Sequence, residues 1–107
     1  MTLDEVMAMA DEELRAKVIE LAWRGIGDTT RDIAAAWELV EFAERERHFT
    51  CSIEKNQLSG EWEVSFSGLD EDSGGMWRAS PFFHVKDSIV TRAITRAFIL
   101  AMTQEES

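Results

Sequence analysis

Very few side chains in this sequence are of types that do covalent or metal chemistry at neutral pH: two histidines, His48 and His84, and one cysteine, Cys51. Neither histidine has a second histidine or a cysteine at the i,i+4 spacing that would set two such donors on one helical face around a zinc ion. Each reads as a residue that ends or edges a strand. Cys51 falls on the apolar phase of an alternating segment and reads as a buried, inert thiol, because a nucleophilic cysteine needs an accessible, electropositive setting. Alone, it forms no internal disulfide, and nothing points to an oxidising compartment.

The carboxylates are the other candidates. Asp70-Glu71-Asp72-Ser73-Gly74-Gly75 matches a calcium loop at positions one, three and six, but Gly74 stands at position five and Pro81 replaces the bidentate Glu at position twelve. Glu61 and Glu63 share a strand face and read as solvated rather than as a general acid/base pair. Gly25-Ile26-Gly27 lacks the preceding strand and the third glycine of a dinucleotide loop. No catalytic, metal-binding or cofactor-binding set is expected, and the chain reads as a non-enzyme.

Alternation and helical spacing indicate which elements hold these residues. Thr2-Leu3-Asp4-Glu5 has the capping-box spacing and predicts a short helix from about residue 3. Leu14, Val18, Leu21 and Ala22 predict a second helix from Asp11, ended by Gly25-Ile26-Gly27. Thr29 or Thr30 is the expected cap of a third, whose buried stripe is Ile33, Ala36, Trp37, Val40 and Ala43. From His48 the period changes to two. Phe49, Cys51 and Ile53, then Trp62, Val64 and Phe66, predict two strands joined through the loop from Lys55 to Gly60. A loop over 68–75 leads to a third strand over 76–85, placed at an edge or bent by Pro81. Asp87 or Ser88 caps a last helix with Ile89/Val90, Ala93, Ile94, Ala97, Phe98 and Leu100/Ala101 on its apolar face, and Arg92, Arg96 and Gln104 outside it.

The expected fold is therefore α+β, in the order α-α-α-β-β-β-α, with a small antiparallel sheet of three strands packed on helices. Residues 1–107 form a single domain, 1–10 an accessory helix and 103–107 a frayed tail. One sheet face is apolar; the other carries Thr50, Ser52, Glu54, Glu61, Glu63 and Ser65 and is expected to be wet or partly covered.

Two segments resemble a known family. Thr30-Arg31-Asp32-Ile33-Ala34-Ala35-Ala36-Trp37-Glu38-Leu39-Val40-Glu41 is similar to the S-T-D-I-A-A-A-W-E-V-V-E stretch of the phage ABA sandwich domain family. Ala93-Ile94-Thr95-Arg96-Ala97 resembles its C-terminal A-I-C-R-A helix, and Gly60 to Phe66 its aromatic-rich strand. The resemblance spans residues 11 to 102 and implies a small phage or prophage protein without assigned activity, with helices on both sides of the sheet. No functional residue is carried over from it. This chain departs from the pattern at Thr95, where Cys is frequent, and in its acidic loop. Since alternation predicts only one fully buried face, the N-terminal helix is expected to cover part of the other.

Charge supplies the functional expectation. The 107 residues hold 21 Asp and Glu against 11 Lys and Arg, a formal net charge of −10. Direct nucleic-acid binding is not expected, because each phosphate contact needs a local cation. No apolar run approaches a membrane span, and the acidic N-terminus lacks a signal-peptide n-region, so a cytoplasmic protein without membrane attachment is expected. Two stretches contain acids and no base: residues 1–14, with Asp4, Glu5, Asp11, Glu12 and Glu13, and residues 56–77, with Glu61, Glu63, Asp70, Glu71 and Asp72. Trp77, beside the second stretch, suits an aromatic interface anchor.

The leading expectation is a phage accessory protein that binds a host protein, a nucleic-acid-binding defence factor being the natural target, through Glu61, Glu63, Asp70, Glu71, Asp72 and Trp77. The alternative is a small-ligand binder with a pocket between sheet and helices, using Trp77, Phe82, Arg92 or Arg96. A homodimer through an open sheet edge is compatible with either.

Overall fold

A computed structural model describes residues 1–71 and 77–104, with the backbone alone at 69–71, 77–82 and 104. Three helices, α1 (Leu3–Ala8), α2 (Asp11–Leu21) and α3 (Ile33–Arg47), precede strands β1 (Thr50–Lys55), β2 (Trp62–Glu71) and β3 (Trp77–Asp87), and α4 (Val90–Gln104) ends the chain. The strands form one antiparallel sheet in the order β1-β2-β3. This is the α+β arrangement that the change of period predicts.

Local signals account for most boundaries. Thr2 and Glu5 form the reciprocal capping box of α1. The Glu13 carboxylate accepts the Ala10 N–H at the start of α2. In the β1–β2 turn the Asn56 side chain accepts from the N–H groups of Leu58 and Ser59, and Gly60 supplies the positive φ of 76° that returns the chain to β2. β3 lies at the sheet edge, as Pro81 requires. Ser67 pairs with Phe82 and Gly68 with Ser80, so Pro81 is the extra residue of a bulge and owes no N–H to β2.

Four expectations are corrected. Gly68 to Glu71 is strand rather than loop: opposite Ser80 to Trp77 these residues complete a ladder, and pairing outweighs the turn-like composition. Thr29 and Thr30 do not cap α3. Asp32 does, accepting from the Ala34 N–H at 2.9 Å, while both threonines are buried. His48 ends no strand; it closes α3 in the left-handed conformation, φ 57°, with the Phe49 N–H returning to the Ala43 carbonyl. Finally, α4 continues through Thr103, whose hydroxyl donates to the Ile99 carbonyl, and Gln104, while residues 105–107 lie outside the described residues.

The core lies between the inward sheet face and α4. Val64, Phe66, Phe83 and Val85 of the sheet share one buried cluster with Ala93, Ile94, Ala97 and Phe98 of α4. Helix α4 contacts β2 and β3, while α3 reaches β1. Phe49 packs edge-on against Phe66 and Phe83, with centroids 6.2 and 6.1 Å away.

Helix α3 is turned differently from its expected stripe. Ala35, Ala36, Leu39, Val40 and Ala43 are buried, whereas Ile33 and Trp37 are 53% and 48% exposed. Small side chains occupy the arc that meets the core, and the tryptophan is left outside.

Polar contacts lock the helices to one another. Asp28 caps the turn before α3, and its carboxylate is held below its usual pKa first by the Thr30 hydroxyl, 2.6 Å away, and further by the Thr30 N–H, Arg15 and Arg31. The Thr91 hydroxyl donates to the Thr30 carbonyl at 2.6 Å, and the hydroxyl oxygens of Thr29 and Thr95 lie 2.9 Å apart. Arg92 makes a bidentate pair with Asp11, and Arg96 reaches both Asp87 and the Met9 carbonyl. These bonds fasten the α1–α2 junction to α4.

Candidate functional site

The outward sheet face follows from the same alternation that builds the core. Once Val64, Phe66, Phe83 and Val85 point inward, Glu63, Ser65, Ser67, His84 and Lys86 point outward, and register decides their neighbours. Ser52, Ser65 and His84 form one cross-strand row; Glu54, Glu63 and Lys86 form the next. Ser52, Glu54, Glu63, Ser65, Ser67 and His84 line an open cleft of about 310 Å³.

Within the cleft, His84 Nε2 lies 3.1 Å from Glu63 Oε1, an ion pair when the imidazole is protonated. Glu54 stands directly opposite Glu63. Like charges directly opposite on antiparallel strands are unfavourable, and this row sets two carboxylates against the one ammonium of Lys86. What the cleft offers a ligand is hydroxyl hydrogen bonding and an excess of negative charge.

A second cleft, of about 250 Å³, adjoins the first through His84 and is lined by Leu3, Met7, His84 and Lys86. Helix α1 borders the outward face here, with Leu3 and Met7 beside His84 and Lys86 of β3. Its Val6 is fully buried in the core, while Leu3 and Met7 remain 44% and 36% exposed.

Of the expected surface residues, Glu63 is in the cleft. Glu61 is not: it precedes β2, and its backbone closes the β1–β2 turn through Asn56 and the Ser59 hydroxyl. Asp70 and Glu71 continue β2 opposite Arg78 and Trp77; the side chains of these residues, Trp77 included, and all of Asp72 lie outside the described residues. Ser52, Glu54 and Ser65 stand on the outward face, where alternation placed them, and Ser67, His84 and Lys86 join the site without having been expected there. Ser67 and His84 follow from parity, since Ser67 alternates with Phe66 and His84 with Phe83 and Val85, but their adjacency requires the register.

The remaining candidates are placed elsewhere. Cys51 pairs with Phe66, is partly buried against the core, and has its thiol pushed up to about 11 by burial and, secondarily, by Glu44. Arg92 and Arg96, expected outside the apolar face and available to a ligand, are instead taken up by Asp11, Asp87 and Met9. Trp62 packs against the core with the Lys55 ammonium 5.6 Å above its ring. Among the described residues there is no group of three or more His, Cys, Asp or Glu placed to hold a metal ion, and no helix long and apolar enough to cross a membrane. The chain matches no family model, no curated protein and no solved structure.

Proposed function

We propose that this chain is a non-catalytic binding protein whose outward sheet face docks a basic surface of another protein. The Glu54–Glu63 pair carries this reading. Two carboxylates held opposite one another on neighbouring strands cost the fold stability, and a cation from a partner would turn that cost into attraction. Hydroxyls from Ser52, Ser65 and Ser67 would add hydrogen bonds around the charged centre.

The finer reading joins the resemblance to the charge. A phage or prophage accessory protein with a net charge of −10 is suited to compete with nucleic acid for the basic groove of a host defence factor. On this reading it works in the host cytoplasm, with neither nucleic acid nor membrane as its own ligand. The alternative, a small ligand held between sheet and helices by Arg92 or Arg96, has less support: both arginines are already engaged, and the cleft between α1 and β3 is lined by Leu3, Met7, His84 and Lys86 instead.

Affinity capture from a bacterial host lysate tests the proposal, run across a salt series with the wild-type chain and a Glu54→Lys/Glu63→Lys variant. A basic partner whose capture falls steeply with salt and is lost in the variant is the expected outcome. Capture that is indifferent to both salt and charge reversal sinks the electrostatic reading.

A further inference from the structure

Helix α3 presents a second surface, chemically unlike the sheet face. Ile33 and Trp37, one turn apart, lie on its solvent side, and Glu38, Glu41 and Glu44 are exposed around them. At 100° per residue Glu41 and Glu44 fall on the same side of the helix as Trp37, one and two turns towards its C-terminus, so the indole and the carboxylates share one exposed face. The nearest cations in sequence are already matched: Arg45 lies 3.2 Å from Glu46, and Arg31 3.9 Å from Asp28. The ridge therefore combines a large aromatic face, an aliphatic neighbour and three carboxylates.

We infer that the solvent-facing ridge of α3, centred on Trp37, is a docking surface for a segment of another protein that carries arginine beside apolar side chains. A guanidinium stacks on an indole face while its N–H groups reach adjacent carboxylates, and tryptophan is among the residues that dominate interface energies. Ile33 supplies the contact for the apolar side chain of such a segment. A second copy of this chain is the poorer occupant. An isologous contact through this ridge would gather the Glu38, Glu41 and Glu44 carboxylates of both copies in one interface without a cation to match them from the ridge, in a protein whose net charge is already −10.

The surface is distinct from the outward sheet face, and the experiment separates them. The 15N-labelled chain is titrated with a synthetic amphipathic peptide carrying arginine and leucine at i,i+4 spacing, and with its arginine-to-glutamate counterpart. Expected are shifts of the Trp37 indole N–H and of the amides over 33–45 with the arginine peptide only. Trp37→Ala, and separately Glu41→Lys/Glu44→Lys, should weaken binding at the ridge at least tenfold, whereas in Glu54→Lys/Glu63→Lys the shifts of the Trp37 indole and of the amides over 33–45 persist. Trp37 and the glutamates are exposed, so circular dichroism should report an unchanged fold in these variants. Four results would each overturn the inference: no shifts at millimolar peptide, shifts confined to the sheet face, affinity indifferent to Trp37→Ala, or a Trp37-dependent self-association seen by sedimentation. Shifts confined to the sheet face would leave the proposed function standing.

Discussion

Arg96 donates through Nη1 to the carboxylate of Asp87, joining the middle of α4 to the last residue of β3. Both side chains are largely buried, and Asp87 also accepts the Ile89 N–H as the chain turns into α4. Through Nη2 the same guanidinium holds the Met9 carbonyl between α1 and α2. One buried ion pair thus ties the sheet, the central helix and the N-terminal helices together.

Removing one partner of such a pair leaves a charge in a poorly solvated place. Arg96→Met, which keeps an apolar stem, should destabilise the fold by about 3 kcal/mol, the scale of a broken buried pair. Adding Asp87→Asn should recover part of that loss, because the amide still accepts from Ile89 and no buried charge remains. Urea unfolding of the two single variants and the double variant measures the coupling; strictly additive losses would show that the pair does not act as a unit.

Thr95 is fully buried and faces three oxygens at hydrogen-bond distance: the Thr91 carbonyl, the Thr29 carbonyl and the Thr29 hydroxyl. Its single proton serves one of them, so the network depends on the oxygen as well as the proton. Thr95→Val keeps the shape and removes that oxygen. A loss of about 1–3 kcal/mol in chemical denaturation is expected, from buried polar groups left without their partner. The Thr103 hydroxyl bonds to carbonyls of its own helix, and Thr103→Val should cost less.

The Cys51 thiol stays protonated well above the usual range, with a pKa of about 11, chiefly because burial disfavours the thiolate. At pH 8 its alkylation by iodoacetamide should be slower than that of the unfolded chain by about a hundredfold, since only the thiolate reacts. The sign for stability follows from the same shift. Below pH 9 both states hold the proton; between 9 and 11 the unfolded chain loses it first, so this thiol's contribution to stability falls as pH rises through that window. Cys51→Ala should flatten that alkaline decline, which stability measurements from pH 8 to 11 would reveal.

The periodicities alone determined the element order and the inward residues of the first two strands, and Pro81 narrowed the third to an edge or a bend, because strand alternation has only two phases and proline removes a fixed donor. They also marked the outward face as polar. They could not orient α3. A helix with alanines, leucine and valine around much of its circumference has several arcs able to meet a core, and packing against α4 and β1 selected the one built on Ala35, Ala36, Leu39, Val40 and Ala43. Trp37, in phase with the expected stripe, was thereby left at the surface. Nor could spacing bring His84 to Glu63, or Arg96 to Asp87 and Met9, since those meetings depend on strand register and on how distant helices dock. The sequence by itself determined which residues share a face, through the repeat of each element; tertiary structure decided which face is buried and which charges meet, because close packing and pairing join segments far apart in the chain.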